Sequence, residues 1–165
     1  MGALTVGKHA PDFKLPTMDG KTFSLREALA RGPVVAAFFK ISCPVCQHAF
    51  PYLERIYQAY GDKYVTLVGI SQDDTRATAA FLKECGVTFP VLLDDTHTYP
   101  VSNTYGLTNV PTVFWIDQGG EIEISSVGWV KQEIEEINQR AAAAGKCRPH
   151  PIFQPGEQVA DFRAG

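Results

Sequence analysis

No stretch of this chain approaches the ~20 consecutive apolar residues that a helix needs to cross a bilayer, so nothing in it reads as a membrane span. Lysine and arginine are scattered, and the formal net charge is −3. Without a basic stripe to meet phosphates, nucleic acid is excluded as the main partner. Cysteine is sparse, four in 165 residues, and does not build the disulfide framework of a small secreted domain. There is no second C-x-x-C pair and no closely spaced histidine pair, so a closed zinc site would lack half its ligands. The opening Met1-Gly2-Ala3-Leu4-Thr5-Val6-Gly7 has neither the charged region nor the apolar core of a secretory leader. That predicts a cytoplasmic protein, although a periplasmic chain whose leader had been removed would read the same. No internal repeat is visible, and the sequence calls for no cofactor and no metal.

What is present is ordinary globular material. At 45% hydrophobic and 20% charged residues, the chain has the composition of a soluble domain and the length to bury a substantial core. Pro11 to Leu25 reads as a hairpin turning at Met18-Asp19-Gly20-Lys21. Ser24, with Glu27 three residues on, resembles a capping box for a short helix ending before Gly32-Pro33. Val34 to Phe39 shows no polar alternation, as expected of a central strand covered on both faces. A helix follows from Pro44 to Tyr60, with Cys46, Phe50, Leu53, Ile56, Tyr57 and Tyr60 on one apolar stripe and Pro51 inside it.

Tyr64 to Ile70 predicts a second buried strand, Thr75 to Glu84 a helix stopping at Gly86, and Pro90 to Leu93 a short strand before an acidic turn at Asp94-Asp95. Val113 to Ile116 and Ile122 to Val127 are two more strands, joined by the hairpin signal Asp117-Gln118-Gly119-Gly120. Lys131 to Ala144 closes the pattern as a helix with Ile134 and Ile137 inward. This order implies an α/β fold: a mixed central sheet flanked by helices, with an N-terminal hairpin extension. Residues 1–145 form the domain. Residues 146–165, rich in proline, form a tail laid across it or partly mobile.

The chemistry concentrates at Cys43-Pro44-Val45-Cys46. Two thiols at this spacing, at a strand-to-helix junction, suit reversible disulfide exchange. Cys43 would sit at the N-cap, where free N–H groups and the helix dipole favour a thiolate. Cys46 lies one turn on, within reach of a mixed disulfide formed on Cys43. Pro44 at the first helical position removes a donor the helix does not use. Half a zinc site is the competing reading of the same four residues.

On these residues and those that follow, the chain is identified as a member of the thioredoxin-like superfamily. It most closely resembles the branch holding the TlpA/ResA-type thiol–disulfide oxidoreductases and the AhpC/TSA proteins, or peroxiredoxins. Gly7-Lys8-His9-Ala10-Pro11-Asp12-Phe13 with Asp19-Gly20-Lys21 is similar to the N-terminal extension of that branch. Pro51 matches the proline in the first long helix, Val110-Pro111-Thr112 the cis-proline loop, and Phe114 to Gly120 the shared strand and hairpin. The match spans roughly residues 7 to 144, leaving the tail outside it.

The resemblance implies a thioredoxin-like fold and an enzyme exchanging a Cys43–Cys46 dithiol with disulfide-bearing protein substrates, recharged by a thiol reductant system. It also implies a cis Val110-Pro111 bond beside Cys43, with the Val110 backbone pairing with the substrate chain. Pro44 and Val45, between the two thiols, join Val110 and Pro111 as substrate-binding residues.

The departures from the family pattern are specific. Ser42 replaces the tryptophan that usually precedes the first cysteine. Ala37 stands where thioredoxins keep a buried carboxylate, and Ala49 where ResA-type proteins keep an active-site glutamate, so the usual proton acceptor for the buried thiol is missing on both patterns. Lys40 could favour a thiolate if it points inward, and otherwise is a solvated strand-end lysine. His48 could shuttle protons, and otherwise is a surface histidine.

A peroxiredoxin is the main rival, but Cys43 occupies the position of its peroxide-activating threonine and Pro111 that of its arginine. A copper-delivery module on the same fold, using His97, and a redox-inactive interaction domain are further alternatives. Cys85 is expected as a small buried hydrophobe and Cys147 as a bystander near His150.

Overall fold

The computed structural model describes residues 2–165, so the first residue of the expected domain lies outside the described residues. The chain opens with a hairpin of β1 (Lys14–Pro16) and β2 (Thr22–Ser24), in which Leu15 pairs with Phe23. Ser24 then caps α1 (Leu25–Leu29), its hydroxyl accepting the Glu27 N–H at 3.3 Å, as the capping sequence requires. Next come β3 (Val34–Phe39), α2 (Pro44–Tyr60), β4 (Thr66–Ser71) and α3 (Thr75–Cys85). They are followed by β5 (Val91–Leu93), α4 (Pro100–Thr104), β6 (Thr112–Ile116) and β7 (Ile122–Val127). β8 (Trp129–Val130), α5 (Lys131–Ala144) and β9 (Phe162–Arg163) complete the chain.

Five strands form one mixed sheet in the order β5-β4-β3-β6-β7. β3 lies at its centre, parallel to β4 and antiparallel to β6. Because successive side chains of a strand point to opposite faces, the apolar run of β3 seeds two cores. Val35, Ala37 and Phe39 pack with α2, with Phe81 of α3 and with Ile134 and Ile137 of α5. Val34, Ala36 and Phe38 pack with Leu25 and Ala28 of α1, Val101 of α4 and the N-terminal Ala10, Phe13 and Leu15. Each face alone would leave half of β3 in water, so both layers are needed to make its sequence favourable.

One feature departs from the expected pattern. The stretch read as an acidic turn holds a cap: the Asp94 carboxylate is buried and accepts the Val101 N–H at 3.3 Å, the Ser102 N–H at 2.8 Å and the Ser102 hydroxyl at 2.8 Å. It thereby supports α4, a single turn that carries no apolar periodicity of its own. The tail, in turn, is tied down. Ile152 is buried in the α2/α5 core, and Phe153 packs at a tilt against Tyr52 at 5.3 Å between ring centroids. Arg55 grips both oxygens of Glu157 at 2.8 Å, and its guanidinium holds that carboxyl down to a pKa of about 2.

Candidate active site

The site lies at the C-terminal end of β3, where the central strand gives way to α2. Cys43 is the N-cap of α2, with extended backbone, and Pro44 takes the first helical position. Its Sγ accepts the Cys46 N–H at 3.2 Å and donates to the Val110 carbonyl at 3.2 Å. The thiol is thus held between the helix mouth and the loop before β6. The Val110-Pro111 peptide is cis, with Pro111 buried and Val110 half-buried. Of the residues between the thiols, Pro44 is exposed and Val45 half-buried.

Cys46 is buried on the apolar stripe of α2. Its pKa is pushed above the usual thiol range, by burial first and then by the hydrogen bond with Cys43 and the charges of Cys43 and Asp73. Ala37 and Ala49 are buried in the same core as Cys46, so neither position offers it a carboxylate.

Asp73 is the residue that sequence reasoning missed. Its Oδ2 accepts the Ile41 N–H at 2.8 Å, fixing the turn that leads into Cys43. A signal for it existed: β3 and β4 run parallel with Phe39 opposite Ser71, so residues just past both ends must meet.

Lys40 is half-buried, its ammonium 5.8 Å from the centroid of the Tyr99 ring. His48 is neither a free surface group nor paired. Its ring packs edge-on against Trp129 at 4.7 Å, and its Nε2 is buried without a hydrogen-bond partner among the described residues. Burial, then the Arg163 charge, lowers its pKa, so the ring is biased toward the neutral form.

His97 is exposed in the loop after β5. Among the described residues, the one group of three metal-competent side chains is Asp117, Glu121 and Glu123 on the β6–β7 hairpin. Cys85 is half-buried, with its pKa raised by burial, and Cys147 is exposed.

Buried Cys46 and Tyr105 both have pKa values raised by burial above the usual 9.0 and 10.0. For such groups the folded state holds protons that the unfolded chain gives up. Their stabilisation is therefore complete below about pH 9 and lost as pH rises. Urea unfolding of the reduced protein should show a midpoint that falls steadily from pH 8.5 to 10.5. A flat profile over that range would mean these groups are solvated.

The model of the AhpC/TSA family matches residues 6–125. The thiol-disulfide oxidoreductase ResA of Bacillus thuringiensis (strain Al Hakam) is 30% identical over 134 residues, covering 80% of this chain and 76% of the relative. That of Bacillus anthracis matches to the same extent. Among solved structures, a thiol:disulfide interchange protein of the thioredoxin family from Chlorobium tepidum TLS superposes with a TM-score of 0.68 at 28% identity. The match covers 84% of this chain and 99% of that one. DsbF of MTB, solved in mixed oxidized and reduced forms, gives 0.67 at 27% identity over 80% and 94%.

Proposed function

We propose, on the premise that this chain belongs to the AhpC/TSA family, that Cys43 is the nucleophile and Cys46 the resolving thiol of its exchange reaction. The chain is a thiol–disulfide oxidoreductase of the TlpA/ResA-type thioredoxin-like family, acting on protein substrates. The observation that carries the assignment of roles is the pair of contacts at Cys43 Sγ, with the Cys46 N–H on one side and the Val110 carbonyl on the other. The N–H stabilises negative charge on the sulfur, and the carbonyl marks the edge along which a substrate backbone would lie.

In the reductive direction, Cys43 thiolate attacks one sulfur of the substrate disulfide. A Cys43–substrate S–S bond forms, the substrate S–S bond breaks, and one substrate thiolate leaves. Cys46 then attacks Cys43 Sγ, its proton passing to the departing second thiolate. The substrate ends as a dithiol and the enzyme as a disulfide. Burial of Cys46 keeps it protonated until the mixed disulfide forms, which suits a resolving rather than an attacking group.

In this reading Val110, Pro111, Pro44 and Val45 border the substrate, and residues 1–145 form the catalytic domain with 146–165 laid on it. A thiol reductant system, cytoplasmic in this proposal, regenerates the dithiol. No helix among the described residues is long and apolar enough to cross a membrane.

The peroxidase alternative is not favoured. Rapid peroxide reduction needs donors that stabilise charge on the departing oxygen, and Cys43 and Pro111 stand where that family pattern places them. Insulin-disulfide reduction and hydrogen peroxide consumption, run with the same enzyme and reductant, separate the two. Brisk insulin reduction beside slow peroxide loss, both abolished in Cys43→Ser, is the expected result. Peroxide turnover in the range of about 10⁶–10⁸ M⁻¹s⁻¹, toward the upper end for enzymes, would overturn it.

A further inference from the structure

The tail does more than cover α2. After the Arg55–Glu157 pair, the Trp129 indole N–H donates to the Ala160 carbonyl at 2.6 Å, and the Lys131 N–H to the Asp161 carbonyl at 2.9 Å. β9 then pairs antiparallel with β8, Trp129 opposite Arg163 and Val130 opposite Phe162. This pairing carries the last residues back to the loop before β6. Gly165 lies so close to the Val110 carbonyl that a Cβ placed on it would collide with that oxygen. A Cβ on Gly128 would stand 2.5 Å from the Arg163 carbonyl. The Asn109 side-chain amide donates to the Gly165 carbonyl at 2.9 Å. One carbonyl, that of Val110, therefore meets the Cys43 thiol and the tail together.

We propose that residues 157–165 are a specificity-determining segment that walls one side of the groove at Val110, admitting small or flexible, extended disulfides and hindering those set in bulky folded surfaces. This rests on the reading of Cys43 as the nucleophile. A substrate chain pairing with the Val110 backbone must share the space that Gly165 occupies. Beside the Val110 carbonyl and the end of the tail lies a cavity of about 300 Å³, lined among others by Lys40, Gln72, Val110 and Gly165.

A volume of that size takes one or two side chains, not a folded face. A bulky substrate must wait for the tail to lift, so its apparent affinity is divided down by the fraction of molecules in which the tail is open. A small disulfide does not need that width of groove and meets no such penalty.

The tail's anchor can be weakened without touching the site. In the full-length chain, Arg55→Glu and Glu157→Arg each replace the bidentate pair with like charges. The double variant Arg55→Glu/Glu157→Arg restores the attraction in reverse. Each single variant should raise kcat/KM for insulin by about three- to tenfold, the range expected when a minor open state becomes dominant. Turnover of 2-hydroxyethyl disulfide should stay within about twofold, and the double variant should return the insulin rate toward the parent value. An unchanged ratio of the two activities in both single variants would overturn the proposal, as would a parallel rise with both substrates. Retention of 2-hydroxyethyl disulfide turnover in Cys43→Ser would instead overturn the assignment of the nucleophile, so the two failures are told apart.

Discussion

Replacing Cys46 with serine should convert a turning-over enzyme into one that stalls as a covalent complex with its substrate. With Cys43 intact the first exchange still proceeds, and the mixed disulfide accumulates because its intramolecular attacker is gone. An aligned neighbouring thiol acts at an effective concentration far above any free thiol, with values of 10⁵–10⁸ M reached by well-oriented groups. Millimolar external thiol cannot replace it, and steady-state insulin reduction should fall on the order of 10³-fold.

A Cys147→Ser background removes the exposed thiol that could be labelled off-site. Mass spectrometry of the trapped species should then place one substrate equivalent on Cys43. A physical asymmetry lies behind this expectation: Cys43 is partly accessible at the helix mouth, and Cys46 is fully buried. If Cys43→Ser traps substrate while Cys46→Ser turns over, the roles are reversed.

Trp129→Ala should produce the largest loss of stability outside the sheet. Trp129 is fully buried and packs against Tyr52 at 5.1 Å, His48 at 4.7 Å and Phe153 at 6.3 Å between centroids. Truncating a buried tryptophan costs about 3–5 kcal/mol, a large part of the 5–15 kcal/mol typical of a domain. At roughly 2–4 °C per kcal/mol for a chain of this size, the melting temperature should drop by about 6–20 °C.

Trp129→Phe keeps part of the ring contacts and loses the hydrogen bond to Ala160 and part of the buried ring, so it should cost less than Trp129→Ala, about 1–3 kcal/mol. Thermal unfolding of the three proteins checks the order. A loss below about 1 kcal/mol for Trp129→Ala would mean that the tail and α2 are not joined through this ring.

Much of the fold was legible because its signals are local. The unbroken apolar run of β3 announced a strand buried on both faces, and its two alternating sets of side chains do seed the two cores. Helix α5 begins at Lys131 and ends at Ala144, where the period of its apolar residues and the glycine after them place it. Helix α4 was not legible. Its five residues offer too little periodicity, Tyr99 before it sits in the left-handed region at φ 48°, and its cap comes from Asp94. Asp73 escaped for a similar reason. Its partner, Ile41, is 32 residues away, and only the parallel pairing of β3 with β4 brings them together.

By itself the sequence determined the order of the longer strands and helices, though not α4, β8 or β9, and the cysteine pair at a helix mouth. Each depends on a residue and its near neighbours, where hydrophobic period, capping and spacing act directly. Only the tertiary structure decided what surrounds that pair: the Val110 carbonyl on Cys43, the Asp73 carboxylate on the entering turn, His48 shut against Trp129, and a tail that returns to the groove. These contacts join residues as far apart as Arg55 and Glu157, 102 positions along the chain. Their free energy is realised only once the sheet has placed both partners, and so no local pattern in the tail announces it.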